Sequence, residues 1–580
     1  MKRVNLWWTA ILLGIMLTGC LNETPTAVPG VTQPAREPTA TQGAPTSQPV
    51  ATVQATATVP PPLPAETPTA VTQGWWNDTV FYQVFVRSFY DTTGDGIGDI
   101  NGLIEKLDYL NDGDPNTSQD LGITGLWLMP VTESPSYHGY DVVDYYDVDD
   151  EYGTKEDFLR LVAEAQKRGM RVIVDLVINH TSREHPWFLA SQAGDPQYRD
   201  WYLWEEESPN YRGPWDQVVW IPSGDDFYYA VFWEGMPDLN FENPEVTAEI
   251  YDLTRFWLEE MQVDGFRMDA IRHLIEFGPA QENTPATHEW LQDYHQFYKG
   301  IDPQAFTVGE AWTATDQVVE YVGDEMDIAF EFDLARAFMI ASKGPIVSSL
   351  NEKMQQVLDS YRSRQYGVFL TNHDQDRAMS ELGDEVKAKL AATMMLTSPG
   401  VPFIYYGEEI GMTGIKPDED IRRPMQWQSE DERVGFTTAT PWRMPADDYG
   451  VRSVAVQEDD PQSLLNHYRQ LIQLRNQFAA LRSGEAVLVD AGTARLYAML
   501  RYNAEEALLI LVNVHPRALP AGQYSLSLES GPFQGTLQAV TVLGEAQASE
   551  PQINASGGFS DYQPLPEIPG QSSVIIHLKP

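Results

Sequence analysis

Eight short apolar runs recur between residues 80 and 407, separated by longer stretches with helical character. The runs lie at 80–86, 123–129, 171–178, 265–270, 305–311, 326–332, 366–372 and 401–407. Continuous apolar runs of this length are typical of strands that are buried on both faces of a parallel sheet. Eight such strands alternating with helices predict an α/β fold, a (β/α)8 TIM barrel with its helices on the outside.

The polar residues at the ends of two helical stretches show where those helices begin. Thr154 is suited to cap the first helix, with Asp157 three residues later, and Gly169 is placed to end it. The second helix is expected to begin at Asn243, followed directly by a proline, and to run as far as Met261. These helices follow the second and third predicted strands.

Two segments do not fit a simple barrel. Residues 181–235 are too long for a loop and are rich in Trp, Tyr and Pro, which predicts a subdomain inserted after the third strand. Beyond a helix near 464–481, alternating apolar segments replace the helical pattern, which predicts a C-terminal all-β sandwich domain at 483–580. The barrel is then assigned to residues 74–180 and 236–482.

The N-terminus has the pattern of a secretion signal. Lys2 and Arg3 precede an apolar run at 6–17, too short to span a bilayer, and "LTGC" ends at Cys20. This ending resembles the bacterial lipobox, which implies a signal peptide at 1–20 and a lipidated Cys20 on the extracellular face of a membrane. An ordinary secretory signal is the alternative. Residues 21–73, dominated by Thr, Pro, Ala, Val and Gln, predict an extended, disordered tether.

Charge and composition narrow the possible partners. The chain carries 84 acidic and 38 basic residues, a net charge of −46, so nucleic acid is excluded as a partner. Sixteen Trp and 27 Tyr residues offer flat faces for a neutral, hydroxyl-rich substrate. Cys20 is the only cysteine, so the chain forms no internal disulfide and has no cysteine metal site.

Chemically active side chains cluster where the predicted strands end. They are Asp175, Asn179 and His180 after the third strand, Arg267 and Asp269 on the fourth, Glu310 after the fifth, and His373 and Asp374 after the seventh. Each alone has a structural interpretation, since an aspartate at a strand end often caps the next helix. Together they predict a catalytic site at the carboxyl end of the barrel. Arg267 and Asp269 share a strand face, and we expect this pair at the open rim, solvated until a substrate binds.

Four of these segments carry a family resemblance. "DLVINH", "GFRMDAIRH", "TVGEAW" and "FLTNHD" are similar, in order and spacing, to the four conserved regions of the α-amylase family, glycoside hydrolase family 13. "MPDLN" (236–240) resembles a fifth region and "YHGYDV" (137–142) a further landmark. The resemblance covers residues 75–580.

The resemblance implies a retaining glycoside hydrolase that uses two carboxyl groups. By motif match, Asp269 is the expected nucleophile, Glu310 the acid/base, and Asp374 a third carboxylate that binds sugar hydroxyls. The expected substrate-binding residues are Tyr140, His180, Arg267, His373 and His138. Asp175 is expected to support Arg267, and Arg377 and Arg422 are candidates for the rim of the site, although charged loop residues are more often structural.

The segment "DTTGDGIGD", residues 91–99, predicts a calcium site. Side-chain oxygens at Asp91, Thr93, Asp95 and Asp99, with the carbonyl of Ile97, follow the spacing of the first half of an EF-hand loop. An acidic turn without metal is the alternative. Members of the family that the chain resembles carry calcium in this loop, with Asn where Thr93 stands.

The resemblance leaves the reaction open within the family. We expect an endo-acting α-amylase that cleaves α-1,4-glucosidic bonds in starch, glycogen and maltooligosaccharides, working as a monomer. "MPDLN" resembles the group intermediate between oligo-1,6-glucosidases and neopullulanases, and Tyr137 replaces an aspartate that closes the pocket of oligo-1,6-glucosidases. The alternatives are an exo-acting α-glucosidase, an oligo-1,6-glucosidase and a transglycosylase, including a trehalose synthase. A non-catalytic saccharide-binding barrel is disfavoured because all three carboxylates are present.

Overall fold

The computed structural model describes residues 74–361 and 366–579. All eight predicted strands form, and they close into a parallel barrel in which the eighth strand pairs with the first, as Phe81 does with Phe403. In chain order, which is the order used below, the barrel strands are Phe81–Val84, Gly125–Leu128, Arg171–Leu176, Gly265–Met268, Phe306–Gly309, Ile328–Phe330, Tyr366–Val368 and Val401–Tyr405. The predicted barrel is confirmed.

Aromatic side chains fill the interior of the barrel. The ring of Phe81 on the first strand stacks on Phe403 of the eighth at 4.6 Å, and also on Phe306 of the fifth at 5.5 Å. The first and fifth strands lie on opposite sides of the barrel, so this second contact crosses its interior. The barrel is therefore a packed core that supports its carboxyl end, rather than a pore.

Helices surround the barrel. The α-helices are Ile100–Glu105, Leu107–Leu110, Lys155–Lys167, Pro186–Gln192, Pro244–Arg255, Pro285–Ile301, Thr315–Val318, Phe332–Lys343, Ser348–Ser360, Ala378–Leu382, Glu385–Thr397, Asp418–Ile421, Val454–Gln457, Leu464–Gln477 and Ala479–Ser483. Thr154 and Asp157 form the expected reciprocal capping box. Asn243 caps its helix through the N–H of Glu245, and the final turn at Phe256–Glu260 widens to π geometry before Met261.

The segment after the third barrel strand forms a small substructure. It contains a helix, Pro186–Gln192, and a three-stranded antiparallel sheet of Trp204–Glu205, Trp220–Ser223 and Asp226–Tyr229. Backbone bridges from His180 to Asp238 and from Tyr202 to Leu239 tie it to the chain before the fourth strand. A separate ribbon, Thr132–Glu133 with Asp144–Val148, precedes it in the chain.

The C-terminal region is all β. Its five-stranded antiparallel sheet has the order Glu485–Leu488, Leu496–Tyr502, Ala507–Asn513, Ser572–Lys579 and Gln538–Leu543. Two ribbons, Leu519–Pro520 with Glu567–Ile568 and Leu526–Ser530 with Gly557–Tyr562, complete it around a separate apolar core. The predicted fold class is confirmed, whereas the exact domain boundaries stay predictions.

The signal peptide and the tether lie outside the described residues. Within residues 74–361 and 366–579, no helix combines the length and apolar character needed to cross a membrane.

Candidate active site

Arg267 is the centre of the site. It lies on the fourth barrel strand, one residue before the strand ends. Its Nη1 donates hydrogen bonds to Asp175 Oδ1 and Asp269 Oδ1, both at 2.6 Å, while Nη2 lies 2.8 Å from Glu310 Oε2. Three carboxylates from three strands therefore meet on one guanidinium. The prediction that Asp175 supports Arg267 agrees with this geometry.

The expectation that Arg267 and Asp269 are solvated at the rim is wrong for both residues, since Asp269 lines the pocket but is buried as well. Arg267 is only 1% exposed. The rings of Trp127 and Tyr140, centred 5.4 and 5.9 Å from its guanidinium carbon, help to cover it. A buried cation requires compensation, which the three carboxylates supply.

Glu310 follows the fifth strand, and its side chain is only 13% exposed. Its Oε2 also accepts a hydrogen bond from the backbone N–H of Ala270 at 3.3 Å, and Ala270 is in the left-handed conformation with φ of 49°. Burial raises the pKa of Glu310 to about 7; Arg267 opposes this shift, and the charges of Asp269 and Asp374 add to it. Near neutral pH this carboxyl group is thus able to hold a proton and to release it, as a general acid/base must.

Asp374, after the seventh strand, has the opposite electrostatic environment. Its Oδ1 accepts a hydrogen bond from Arg422 Nη2 at 3.0 Å, and its Oδ2 lies 3.3 Å from His373 Nε2. Burial alone would raise its pKa, but His373, Arg422 and Arg267 hold the pKa of Asp374 below its usual value. Asp374 therefore stays ionised at the pH at which Glu310 is protonated.

Tyr140 and His373 form a stacked pair beside these carboxylates. Their rings are 5.4 Å apart and nearly parallel, and the Tyr140 hydroxyl lies 2.6 Å from His373 Nε2 and 3.2 Å from Asp175 Oδ2. Burial lowers the pKa of His373 to about 3, so the ring is neutral. With Gln83 Nε2 donating to Nδ1 at 2.8 Å, the proton of His373 lies on Nε2.

The other two predicted histidines lie on the same side as Tyr140. His180 Nε2 is 3.1 Å from the carbonyl oxygen of Tyr140, and His138 Nδ1 accepts the backbone N–H of Tyr140 at 3.1 Å. Burial lowers the pKa of both histidines, so both are neutral hydrogen-bonding groups at neutral pH.

One pocket of about 370 Å³ brings most of the predicted residues together. The predicted residues that line it are His138, Tyr140, His180, Asp269, Glu310, His373 and Asp374. Arg267 is not among the lining residues and acts on the pocket through the carboxylates that it binds.

Sequence reasoning missed a second group of lining residues: Trp215, Phe232, Trp233, Met236, Ala270, Arg272, His273, Trp312 and Asp418. Several belong to the inserted segment, whose aromatic richness was visible in the sequence. Nothing in the sequence distinguished the aromatic residues that face the pocket from those that pack inside the insert.

The two arginines proposed for the rim differ. Arg422 lines the pocket and binds both Asp374 and the carbonyl oxygen of His373, at 3.0 Å each. Arg377 is not a lining residue: it is buried and donates to the carbonyl oxygens of Ile421 and Tyr406. The rim prediction is therefore wrong for Arg377, which fixes the backbone of the following loops instead.

The loop predicted to bind calcium is compact and acidic. Asp91 is buried, and its two carboxylate oxygens accept hydrogen bonds from the N–H groups of Gly94 and Gly96, and also from Thr93 and Thr437. Burial opposes ionisation, but these bonds keep the pKa of Asp91 below its usual value. Asp99 is also buried and caps the following helix through the N–H of Gly102.

The fit of this loop to calcium is partial. The atoms of the loop that are predicted to bind calcium are all oxygen atoms, as calcium requires. No lysine or arginine of the described residues forms an ion pair with Asp91, Asp95 or Asp99. However, no group of three or more His, Cys, Asp or Glu side chains in the described part of the chain is arranged to hold a metal ion. The three aspartates thus supply charge and oxygen donors without converging as a complete ligand set.

Comparison with known proteins agrees with the geometry of the barrel and its pocket. Residues 83–484 match the family described as "Alpha amylase, catalytic domain". Alpha-amylase 3 of Dictyoglomus thermophilum is 38% identical over 449 residues, covering 76% of this chain and 85% of that protein. The oligo-1,6-glucosidase of Parageobacillus thermoglucosidasius is 33% identical over 522 residues, covering 76% of this chain and 90% of that protein.

Solved structures show the same relationship. The crystal structure of an alpha-amylase from H. orenii is 38% identical, with a TM-score of 0.75, and the match covers 87% of this chain and 99% of that one. The trehalulose synthase of Pseudomonas mesoacidophila MX-45 is 32% identical, with a TM-score of 0.74, over 87% of this chain and all of that one. Because the family match spans most of the chain and the identities exceed 30%, the protein is an enzyme that belongs to the α-amylase family of glycoside hydrolases.

Proposed function

We propose that the protein is a retaining, endo-acting α-amylase that hydrolyses α-1,4-glucosidic bonds in starch, glycogen and maltooligosaccharides. The observation that carries the retaining mechanism in this proposal is the single guanidinium of Arg267, which binds Asp269 at 2.6 Å and Glu310 at 2.8 Å. One guanidinium holds the two carboxyl groups close together. Retaining glycosidases require such a pair, whose carboxyl groups lie about 5 Å apart. Inverting enzymes need a wider gap, which leaves room for a water molecule.

The proposed first step forms a covalent glycosyl-enzyme. The Asp269 carboxylate attacks the anomeric carbon, the glycosidic bond breaks, and Glu310 gives its proton to the departing oxygen. In the second step Glu310 takes a proton from water, whose oxygen attacks the anomeric carbon and releases Asp269. The pKa of about 7 for Glu310 suits a group that must both donate and accept a proton near neutral pH.

The other predicted residues have binding roles in this proposal. The ionised Asp374 accepts hydrogen bonds from sugar hydroxyls, and its negative charge stabilises the oxocarbenium-like transition state. The Tyr140 ring provides a flat surface for the sugar, while His138, His180 and His373 bind its hydroxyls as neutral groups. Arg267 keeps positive charge beside Asp269.

A substitution at Glu310 tests this assignment. Glu310→Gln keeps the shape of the side chain but removes the transferable proton, so we expect hydrolysis of maltotriose to fall by at least about a thousandfold. Binding of maltotriose, measured by calorimetry, should persist. Glu320→Gln makes the same chemical change at an exposed position and is the matched control. Full hydrolytic activity in Glu310→Gln would contradict the role of Glu310.

The second candidate function is exo-acting hydrolysis or transglycosylation. Relatives at 32–35% identity include oligo-1,6-glucosidases and trehalose synthases, so the same fold supports these reactions in other proteins. Time-resolved product analysis on soluble starch, maltotriose, pullulan and trehalose separates the two. Early products of intermediate length from starch support endo cleavage, whereas glucose alone from the start would favour the exo reaction.

We also propose that loop 91–99 binds calcium, because Asp91 and Asp99 are buried there and have no lysine or arginine partner among the described residues. Asp91, Thr93, Asp95 and Asp99 would supply side-chain oxygens and Ile97 its carbonyl oxygen. Bound calcium would neutralise this loop and fix its conformation; it takes no part in the chemical steps above.

The cellular location is proposed from the N-terminal sequence. Lipidation of Cys20 would anchor the enzyme to the outer face of a bacterial membrane, with 21–73 as a tether that lets it reach α-glucans. Cys20→Ser is expected to move the protein from the membrane fraction to the medium, and retention in the membrane would contradict the proposal. We propose a monomer, which sedimentation of the soluble variant tests.

A further inference from the structure

Gln83 is a polar side chain within the aromatic interior of the barrel. It lies on the first strand, two residues after Phe81, so both side chains point toward the inside of the barrel. Gln83 is only 1% exposed. Burial of an amide group costs free energy unless its hydrogen bonds are made. The contacts of Gln83 therefore indicate what the residue does.

A small cavity lies beside Gln83. Its volume is about 10 Å³, which is enough for one water molecule at most. Aromatic rings line this cavity together with Thr371 and Asn372, and none of the described residues that line it is charged. A carboxyl group placed at position 83 would therefore be buried without a cation in the cavity, and it would hold its proton to a higher pH than usual.

Gln83 also contacts a residue of the catalytic pocket. Its Nε2 lies 2.8 Å from Nδ1 of His373. An amide nitrogen donates and does not accept, so Nδ1 is the acceptor and the proton of the neutral ring lies on Nε2. His373 Nε2 lies 2.6 Å from the Tyr140 hydroxyl and 3.3 Å from Asp374 Oδ2, and both oxygens are able to accept its N–H. The charged groups that act on His373 are Asp374, Arg422, Arg267 and Lys416.

The hydrogen bonds continue past His373 in one direction. Because Tyr140 accepts from His373, its own hydroxyl proton is free to point at Asp175 Oδ2, which lies 3.2 Å away. The other oxygen of Asp175 accepts from Arg267 at 2.6 Å, and Arg267 in turn holds the two carboxyl groups of the proposed mechanism. A chain of hydrogen bonds thus runs from the first strand to Asp175, beside this guanidinium.

The opposite direction of this chain would weaken two contacts. If Nδ1 carried the proton of His373, Nε2 would present a lone pair to the Asp374 carboxylate at 3.3 Å. Tyr140 would then have to donate to His373, and Asp175 would lose the hydrogen bond from Tyr140. A donor at Nδ1 selects the first arrangement before any substrate binds.

We propose that Gln83 is a positioning residue of the catalytic pocket, because its hydrogen bond to His373 sets the direction of the chain that ends at Asp175. Gln83 does not line the pocket, so it acts on the reaction through His373. It keeps an N–H group on the side of the ring that faces Asp374, where the sugar binds. This inference rests on the proposed hydrolytic function, in which His373 and Asp374 bind the sugar.

The experiment measures kcat/KM for maltotriose against pH in variants of the full-length protein. Gln83→Met keeps a side chain of similar size without a donor, so kcat/KM should fall about tenfold at every pH. Gln83→Glu has a donor only while its carboxyl group is protonated, and at pH 5 it should stay within about threefold of wild type. Transfer of that proton to Nδ1 would leave the N–H on Nε2, so the chain keeps its direction in either case.

The shape of the pH profile separates positioning from packing. When the proton of Gln83→Glu leaves as the pH rises, the carboxylate accepts from Nδ1, the ring proton moves from Nε2 and the chain reverses. Wild type needs one proton, that of Glu310, so its kcat/KM should fall about tenfold per pH unit above pH 7. Gln83→Glu needs two protons, so its kcat/KM should fall up to about a hundredfold per pH unit.

Gln457→Glu is the matched control, because Gln457 is also buried, donates to the carbonyl oxygen of Ile410 at 2.8 Å, and does not line the pocket. It should keep the wild-type profile. If wild type does not hydrolyse maltotriose, the proposed function itself fails, and this inference fails with it. If wild type is active but Gln83→Met keeps the wild-type kcat/KM, or Gln83→Glu loses as much at pH 5 as Gln83→Met, the positioning role is overturned. The same two-proton profile in Gln457→Glu would overturn it as well. The thermal midpoint of each variant verifies that it is folded.

Discussion

Replacing Arg267 with leucine removes the charge that three carboxylates share. Asp175, Asp269 and Glu310 all lie within 2.8 Å of this guanidinium, and all three are largely shielded from water. Removing one partner of a buried ion pair costs about 3–5 kcal/mol, because the remaining charge is left uncompensated. Since three carboxylates are affected here, we expect the upper end, about 5 kcal/mol at pH 8. That is a large part of the stability of a typical domain, about 5–15 kcal/mol.

The pH dependence of this loss follows from the same contacts. Arg267 opposes the rise in the pKa of Asp175 and Glu310 that burial causes, so its removal raises both pKa values further above about 7. Carboxyl groups with raised pKa values in the folded state are neutral at low pH and destabilise the fold as the pH rises through those values. The loss should therefore be smaller at pH 5 than at pH 8.

Urea unfolding followed by tryptophan fluorescence at the two pH values measures this loss. Arg160→Leu is the matched control: Arg160 is 53% exposed and pairs with Asp157 at 3.0 Å, so its loss should cost no more than about 0.5 kcal/mol. A loss in Arg267→Leu below about 1 kcal/mol at pH 8, the range of an exposed pair, would refute the electrostatic argument. If Arg267→Leu lost the same free energy of unfolding at both pH values, unpaired carboxylates would not be the cause of the loss.

Three further predictions concern activity and the acidic loop. The kcat/KM for maltotriose should fall with rising pH near pH 7, because Glu310 must be protonated to act as an acid and its pKa is about 7. If kcat/KM began to fall only above pH 9, this role of Glu310 would be contradicted. Tyr140→Phe keeps the ring but loses the hydroxyl bound to His373 at 2.6 Å, so kcat/KM should fall about tenfold to a hundredfold, and an unchanged value would show that this bond does not orient His373. Chelation of calcium should lower the thermal midpoint of wild type but not of Asp91→Asn, and an unchanged wild-type midpoint would contradict the calcium proposal.

The sequence identified the barrel and its catalytic end because both depend on short-range patterns. Strands such as Arg171–Leu176 are buried along almost their whole length and therefore read as continuous apolar runs. Asp269, Glu310 and Asp374 each stand just after such a run, and parallel topology brings all strand ends to one side. Their convergence on one pocket could thus be predicted without any knowledge of the loops.

Features that depend on long-range contacts could not be predicted in this way. Arg377 and Arg422 both follow barrel strands, yet one binds backbone carbonyl groups inside the fold and the other binds Asp374. The burial of Arg267 depends on Trp127 and Tyr140, which come from other parts of the chain. In the insert, Trp215 stacks on Phe232, and the ring of Trp233 lies where a Cβ atom at Gly235 would be. Neither contact leaves a periodic signal in the sequence.

The pKa values of Glu310 and Asp374 shift in opposite directions because the neighbouring positive charges act on them unequally. Three carboxylates share the positive charge of Arg267, so this charge only partly offsets the effect of burial on Glu310, whose pKa rises to about 7. Burial acts on Asp374 too, but His373, Arg422 and Arg267 outweigh it and lower the pKa of Asp374. Two carboxyl groups in one pocket thus hold different protonation states at neutral pH without any difference in their own chemistry. In the proposed mechanism this difference lets Glu310 deliver a proton while Asp374 remains an anion that stabilises positive charge on the sugar.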